Sequence, residues 1–288
     1  MHKGSIYGLA GVNGAGKTTI IKHLAGVYRQ DAGTVKIDGR AVYENIAIKE
    51  RIGYIPDDLY FFPSYSIGNL RSFYCGLYKN WNSERFQEMI DFFKLNERGK
   101  LAKLSKGMQK QAAFAFTMSI MPDVLLLDEP LDGLDPIARR HVLGYIMEDV
   151  AARGLTVLIS SHNLKELEGV CDTVGIVKNG CMSIERNLDE LKSEIHKVQL
   201  AFTSDRQTDE SVYERFIGLK VLRRQKQGGV EVLIIRGKAQ EVEAKIKNLN
   251  PLIYDVLPLS LEEIFIYAAN EGLDSGLQAN PDTGGNDL

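Results

Sequence analysis

The chain has 288 residues, more than one small hydrophobic core usually supports, so we expect a large domain with a smaller one attached. Hydrophobic residues make up 44% and charged residues 25% of the chain, as in ordinary globular proteins. The net charge of −3 provides no positive field for a polyanion, which argues against nucleic acid as a partner.

The apolar runs and the cysteine spacing indicate the compartment of the chain. The longest apolar runs are too short to span a bilayer, and the first residues lack a signal-peptide pattern, so we expect a soluble chain. A role at a membrane would require another polypeptide to supply the spanning segments. Cys75, Cys171 and Cys181 form no C-x-x-C pair, which favours reduced thiols in a cytosol, with burial as small apolar residues as the plainer interpretation.

The first part of the chain alternates strand-like and helical segments. Residues 5–10 have the pattern of a strand that enters a glycine-rich loop, and helical spacing follows over residues 17–26. Strand patterns recur within residues 33–42 and 51–56, with turn residues between them. Residues 60–122 are mostly helical by periodicity, which predicts a helical insertion.

Three apolar runs follow the insertion, within residues 123–130, 155–162 and 173–180, and helical segments separate them. This alternation is typical of a parallel sheet that is buried on both faces. After about residue 190, strand patterns surround one helical pattern, and the last stretch has almost no large apolar residues. The sequence therefore predicts an α/β domain over residues 1–190, a small α+β accessory domain over 191–270 and a disordered tail over 271–288.

The stretch GVNGAGKTT has the G-x-x-x-x-G-K-[ST] spacing between a predicted strand and a predicted helix. Its glycines let backbone N–H groups surround a phosphate without a Cβ clash. Lys17 can reach the β- and γ-phosphate oxygens, and the Thr18 hydroxyl can ligate Mg²⁺. The predicted nucleotide-binding residues are Gly11, Asn13, Gly14, Ala15, Gly16, Lys17, Thr18 and Thr19. An ordinary glycine-rich turn is the alternative, and the strand–loop–helix context disfavours it.

A second chemical motif is VLLLDEP, an apolar strand that delivers two carboxylates at its C-terminal end. Asp128 would hold Mg²⁺ through water, and Glu129 can polarise the attacking water as a general base. Taken alone, such a strand end is equally compatible with a solvated acid pair at a turn. The phosphate loop earlier in the chain makes nucleotide hydrolysis the favoured interpretation.

Over residues 1–190 the chain resembles the ATP-binding subunits of ABC transporters. The resemblance rests on the phosphate loop (11–19), LSKGM (104–108), the aspartate–glutamate strand end (124–130), DGLD (132–135) and SSH ending at His162. The segments YIPDDLYFF, LSKGMQKQ and DEPLDGLDP most resemble a branch of bacterial exporters tied to antibiotic or cell-envelope stress. The implied fold is an α/β P-loop NTPase of the ABC type with a helical signature subdomain.

The resemblance implies a nucleotide site shared between two subunits. In this family the signature segment of one subunit caps the γ-phosphate of ATP bound by the other. It therefore assigns Ser105, Lys106, Gly107 and Met108 to nucleotide held by a second subunit, and the position of Ser105 before a helix suits that task. The alternative is a plain helix cap in which Ser105 closes its own first turn.

Other roles also come from the resemblance. It implies that His162 contacts the γ-phosphate and the attacking water, beside the catalytic Glu129 and Lys17. It implies that Asp135 communicates between the subunits, although DGLDP is also a strong turn before a helix. Asp57 stands where family members commonly have a glutamine that reaches Mg²⁺, so it joins Thr18 and Asp128 as a candidate metal ligand. A solvated loop acid is the alternative for Asp57.

Further departures concern the signature and the N-terminus. Lys106 and Met108 replace the usual glycine and glutamine, and Lys106 either adds charge toward phosphate or lies in solvent. The two strands and the adenine-stacking aromatic that normally precede the phosphate loop are missing here, so no adenine-stacking residue is assigned. In the family, the helical insertion carries the groove for the membrane subunit, so we expect an exposed apolar patch near Phe61 and Phe62. The stripe of Phe73, Tyr74, Leu77 and Tyr78 has core packing as its alternative.

The favoured function is an ATPase that dimerises around Mg-ATP, as a homo- or heterodimer, and drives a separate polytopic membrane subunit. Its expected location is peripheral, on the cytoplasmic face of the cell membrane, and its expected cofactors are ATP and Mg²⁺. One alternative is a nucleotide-gated module whose dimerisation regulates a partner with slow turnover. Another is an ABC ATPase that acts on ribosomes or DNA, which the acidic charge and the absence of a coiled-coil pattern disfavour.

Overall fold

The apolar runs of the first part of the chain form a six-stranded sheet. Its strands are β1 (Ile6–Ala10), β4 (Ile52–Ile55), β5 (Val124–Leu127), β6 (Thr156–Ser161), β7 (Thr173–Lys178) and β8 (Cys181–Asn187). The spatial order is β4-β5-β6-β1-β7-β8, and the first five of these pair in parallel. The structure is a computed structural model that describes residues 1–202 and 220–264.

Alternate side chains of this sheet face two different layers of helices. On one face, Ile21 packs in a common core with Leu9 and Leu126. On the other face, Gly53 leaves room for Thr117, because a Cβ atom at position 53 would lie 2.7 Å from the Thr117 methyl group. The helices that carry Ile21 and Thr117 are α1 (Lys17–Leu24) and α5 (Lys106–Ser119). Burial on both faces explains why the strands are apolar throughout rather than alternating.

Residues 60–122 contain the helices of the insertion. They are α3 (Ile67–Leu77), α4 (Ser83–Phe92), a 3₁₀ turn (Leu101–Lys103) and α5. The Ser66 side chain accepts from the backbone N–H of Asn69 in a capping box that starts α3. The rings of Trp81, Phe86 and Phe116 pack together, with ring centroids 5.0 to 6.4 Å apart, so this aromatic cluster joins α4 to α5.

Shorter elements complete this part of the chain. They are β2 (Lys36–Ile37), β3 (Arg40–Ala41), α2 (Ile46–Lys49), α6 (Pro136–Arg153) and α7 (Leu164–Leu167). Helix α6 begins with Pro at its first position and ends at Gly154, whose φ of 70° lies in the left-handed region that favours glycine. Cys171 is buried, as expected for a small apolar residue, whereas Cys75 and Cys181 are exposed, so that interpretation is wrong for two of the three cysteines.

A second compact unit starts at Arg186, whereas the sequence pattern had placed the change of character at about residue 190. It contains α8 (Leu188–Glu194), β9 (Ile195–Ala201), β10 (Lys220–Gln227), β11 (Val230–Arg236), α9 (Ala239–Asn248) and β12 (Ile253–Leu257). The strands form an antiparallel sheet in the order β10-β11-β9-β12, and Val242 and Ile246 of α9 pack against it. The predicted disordered tail, residues 271–288, lies outside the described residues.

Candidate nucleotide site

The predicted site residues follow the C-terminal ends of parallel strands. The strands end within two residues of one another, since Ala10 pairs with Ser161, Ile55 pairs with Leu127, and Leu127 pairs with Ile159. The phosphate loop follows β1, Asp57 follows β4, Asp128 and Glu129 follow β5, and His162 follows β6. This edge is where open α/β sheets bind their ligands, so the topology brings motifs distant in sequence to one place.

The phosphate loop ends at Gly16, which has a φ of 110° and therefore a backbone conformation that side chains disfavour. Helix α1 starts there with no side-chain cap and no acidic residue in its first turn. The loop is held by hydrogen bonds from the Ala15 N–H to the Val12 carbonyl and from the Gly180 N–H to the Ala15 carbonyl. The helix start therefore keeps positive partial charge and free donors, as an anion site requires.

The side chain of Lys17 is buried within this loop. Its ammonium donates to the Gly11 carbonyl at 2.6 Å and lies 3.1 Å from Oε1 of Glu129. The contact with Oε1 is an ion pair without the angle of a hydrogen bond. The structure thus places Lys17 between the phosphate loop and the predicted general base, where a bound phosphate would find a cation.

Asp128 is almost completely buried at the end of β5. Its Oδ1 accepts a hydrogen bond from the Ser160 hydroxyl at 2.7 Å. Its Oδ2 is buried and has no hydrogen-bond partner among residues 1–202 and 220–264. A buried carboxylate oxygen without a partner is costly, so this atom needs a cation or a water in the working protein.

Glu129 adopts an unusual backbone conformation, with a φ of 47° in the left-handed region. Its N–H donates to the Ser160 hydroxyl at 3.0 Å, and its Oε2 accepts from the backbone N–H of His162 at 3.3 Å. Strain of this kind costs about 1–3 kcal/mol and is typical of functional positions. The surroundings therefore fix both the backbone and the carboxylate of the predicted base.

The imidazole of His162 lies directly beside this carboxylate. Its Nδ1 is 3.0 Å from Oε2 of Glu129 and 4.0 Å from Oδ2 of Asp132. The hydrogen bond to Glu129 and its negative charge raise the pKa of His162 above the usual value of 6.5. The structure thus brings together three residues predicted to be catalytic, Lys17, Glu129 and His162.

Two further residues contact this cluster, and the motifs alone did not single them out. Ser160 bonds to both Asp128 and Glu129, and Lys110 of α5 donates to the Glu129 carbonyl at 2.7 Å and to Oδ1 of Asp57 at 3.2 Å. Lys110 follows Gly107 by three residues and precedes the buried Phe114 by four, so helical spacing places it on an inward face. A lysine on the inward face of a helix indicates that its ammonium needs a buried acceptor, and this was the signal in the sequence.

The signature residues cap their own helix. The Ser105 side chain accepts from the Met108 N–H at 3.3 Å, and both Ser105 and Lys106 are exposed. Among the described residues, no hydrogen bond or ion pair joins residues 105–108 to Lys17 or Glu129. A hydroxyl that accepts in a cap can still donate its proton, so the cap leaves the predicted role toward a second subunit open.

Asp135 likewise caps the helix that follows it, because its Oδ1 accepts from the N–H groups of Ile137 and Ala138. Its predicted role between subunits stays a prediction. Gly107 serves packing within the chain, since a Cβ atom there would lie 2.6 Å from the Gly133 carbonyl oxygen. The signature helix therefore packs closely against the loop that precedes Asp135.

The insertion exposes four large apolar side chains, Tyr60, Phe62, Phe73 and Leu77, and the rings of Tyr60 and Phe62 are in contact, with centroids 6.1 Å apart. Phe62 confirms the expected exposure in this region, whereas Phe61 is half-buried. The stripe on α3 divides, because Tyr74 turns inward toward Phe116 and Tyr78, with ring centroids 5.1 and 5.5 Å away. In the described part of the chain, no helix has the length and apolar character needed to cross a bilayer.

Comparison with known proteins gives consistent matches. The family described as ABC transporter matches residues 1–132. The ABC transporter ATP-binding protein YtrB of Bacillus subtilis (strain 168) is 32% identical over 267 residues, which covers 92% of this chain and 89% of that protein. The linearmycin resistance ATP-binding protein LnrL of the same strain is 31% identical over 188 residues, 63% of this chain and 60% of that protein.

A solved structure shows likeness of fold. It is the dimeric post-hydrolysis state of the ATP-binding cassette MJ0796 bound to ADP and Pi, with a TM-score of 0.59 and 20% identity. The match covers 65% of this chain and 87% of that chain. The parallel sheet and the loops at its edge are therefore an arrangement already known in solved proteins.

Proposed function

The chain belongs to the ABC transporter family, as an ATP-binding protein whose ATPase activity is coupled to transport. We propose that it dimerises around Mg-ATP and drives export through a separate membrane subunit. The observation that carries the proposal is the environment of Glu129. Its carboxylate lies 3.1 Å from the Lys17 ammonium and 3.0 Å from the His162 ring, at the edge where the phosphate loop ends.

In the proposed reaction, Glu129 accepts a proton from water as the water oxygen attacks the γ-phosphorus. The bond between the γ-phosphorus and the bridging oxygen breaks, and the products are ADP and inorganic phosphate. Lys17 stabilises the charge on the transferred phosphoryl group. His162 holds the Glu129 carboxylate and faces the γ-phosphate oxygens. A positioned base of this kind contributes about 10²- to 10⁴-fold in rate.

The donor set fits Mg²⁺. Asp128 presents a buried oxygen without a partner among the described residues, and the Thr18 hydroxyl is exposed in the first turn of α1. Hard oxygens of this type suit the ion, which would neutralise charge on the phosphates when bound. Asp57 is a further candidate ligand, and its carboxylate contacts Lys110 in this structure.

The proposed dimer uses the first turn of α5. Ser105 and Lys106 are exposed there, at a helix start that favours anions. In a dimer of two such subunits, identical or different, this turn caps the nucleotide of the partner. The dimeric state of MJ0796 supports the arrangement as a precedent of the fold.

The membrane subunit is proposed to dock on the exposed side chains of Tyr60, Phe62, Phe73 and Leu77. Tyr60 and Phe62 are exposed and in ring contact, and exposed apolar groups of this kind mark interaction sites. Docking there would hold the subunit on the cytoplasmic face of the membrane. The export direction is supported by the likeness to LnrL, which is named for linearmycin resistance.

The test compares wild type with Glu129→Gln by ATP turnover and by molar mass from light scattering, with and without Mg-ATP. We expect Glu129→Gln to lose about 100-fold or more in turnover and to form a dimer that persists with ATP. The exposed Glu148 provides a matched control, and Glu148→Gln should behave as wild type. Equal turnover in wild type and Glu129→Gln would refute the assignment. An ATP-dependent wild-type dimer without turnover would favour the regulatory module.

A further inference from the structure

Lys110 is a buried lysine in the second turn of the signature helix α5, with only 8% of its surface exposed. A buried ammonium is strongly unfavourable unless it is paired and hydrogen-bonded. Lys110 meets this requirement with two acceptors, the Glu129 carbonyl at 2.7 Å and Oδ1 of Asp57 at 3.2 Å. Both acceptors belong to loops at the nucleotide edge of the sheet, so the positive charge of Lys110 lies at the candidate site.

The contact with Glu129 acts on the backbone that orients the carboxylate. Ser160 accepts the N–H of Glu129 while Lys110 donates to its carbonyl, so the peptide groups on both sides of the Glu129 Cα atom are held. The φ of 47° between them is one that glutamate disfavours without such contacts. The direction in which the carboxylate leaves the backbone therefore depends on Lys110.

The contact with Asp57 joins a second loop to the same ammonium. Asp57 is half-exposed and, with Lys106, Lys110 and Asp132, lines a cavity of about 290 Å³. Lys110 thus links the loops after β4 and β5 to helix α5. Ser105 lies five positions before Lys110, about 7.5 Å along the axis at 1.5 Å per residue, so less than two turns of helix connect the helix start to the Glu129 contact.

We propose that Lys110 is a positioning residue for hydrolysis. Its ammonium sets the Glu129 backbone and ties the start of the signature helix, through Asp57 and Glu129, to the catalytic edge of the same subunit. The inference rests on the proposed role of Glu129 as the base. Its consequence is that contact of Ser105 with a partner's nucleotide alters the placement of the base in its own subunit.

The experiment measures kcat and KM for ATP in Lys110→Met, Lys110→Gln and Lys110→Arg of the full chain. We expect kcat to fall about 10- to 100-fold in Lys110→Met while KM stays within about threefold, because misplacement of the base affects the transition state more than ATP binding. Arginine keeps the charge and donors, so Lys110→Arg should recover part of kcat. Lys100 is exposed, and Lys100→Met is the matched control expected to match wild type.

A double variant separates positioning from a general structural effect. In a Glu129→Gln background, Lys110→Met should lower the residual turnover no further, since both changes act through the same carboxylate. Losses that multiply in the double variant would overturn the inference. Trp81 fluorescence verifies folding, and if Lys110→Met is unfolded, Lys110→Gln replaces it in the same comparison.

The outcomes also distinguish this inference from the proposed function. Wild-type kcat in the folded Lys110→Met variant, with Glu129→Gln inactive, would overturn the role of Lys110 and leave the role of Glu129 intact. Wild-type kcat in Glu129→Gln would instead overturn the assignment of the base and, with it, the inference. A parallel change of kcat and KM that arginine does not rescue would show a merely structural lysine.

Discussion

Substitution of Gly107 by alanine tests the close approach of the signature helix to the loop before Asp135. The added Cβ atom would lie 2.6 Å from the Gly133 carbonyl oxygen, where ordinary contacts of carbon with oxygen start at about 3.3 Å. Forcing a methyl group into such a site costs about 1–3 kcal/mol. Alanine recovers about 1 kcal/mol through its helix propensity, so we expect a net loss of up to about 2 kcal/mol in the free energy of unfolding.

The chain provides both the probe and the control for this measurement. Trp81 is the sole tryptophan and packs against Phe116 of the same helix as Gly107, so its fluorescence during urea unfolding monitors this region. Gly144 lies within α6, and a Cβ atom added there would meet no other atom of the described residues within 4 Å, so Gly144→Ala should gain about 0.5–1 kcal/mol. Equal stabilisation by Gly107→Ala and Gly144→Ala would refute the close approach.

Three further predictions follow from the buried contacts. Ser160→Ala removes two buried hydrogen bonds beside Asp128 and Glu129, so it should lower the free energy of unfolding by about 2 kcal/mol and reduce ATP turnover, and wild-type values in both assays would contradict the geometry. Because the pKa of His162 is raised, the stability difference between wild type and His162→Ala should be largest below pH 6.5 and decline as pH rises through the raised pKa. Melting temperatures of both proteins across that range check the sign, and a stability difference that grows toward alkaline pH would contradict it. Phe86 is fully buried and Phe62 is exposed, so Phe86→Ala should cost about 3–5 kcal/mol in urea unfolding while Phe62→Ala stays within about 0.5, and similar costs would show that the burial assignment is wrong.

The motifs of the candidate site could be predicted from local patterns in the sequence. The phosphate loop requires its spacing within nine residues, and the strand before Asp128 is a continuous apolar run, so both can be read without tertiary information. The parallel sheet followed from the same runs, and the structure confirms it. Their meeting at one edge follows from the topology of parallel strands.

Contacts between distant segments could not be read in this way. Lys110 and Asp57 are separated by 53 positions, and periodicity indicates only that Lys110 faces inward. The resemblance assigns Gly107 to a partner's nucleotide, and the sequence does not show that within its own chain Gly107 lies against the Gly133 carbonyl. On α3, Tyr74 packs inward against Phe116 of α5, whereas the neighbouring Phe73 is exposed. The sequence of α3 alone does not show which of the two faces Phe116.

The contacts of Lys17 connect nucleotide binding to activation of water. Its ammonium donates to the Gly11 carbonyl and forms an ion pair with the Glu129 carboxylate. A triphosphate in the loop would compete with both for the ammonium protons of Lys17. The same carboxylate is also held by His162, whose Nδ1 lies 3.0 Å from Oε2, so it keeps a partner when Lys17 turns toward phosphate. Withdrawal of Lys17 toward phosphate would leave Oε1 of Glu129, which has no hydrogen-bond partner among the described residues, available to accept a proton from water. In the proposed reaction, binding of the nucleotide would therefore release this oxygen, while Ser160 and Lys110 hold the backbone of Glu129 in place.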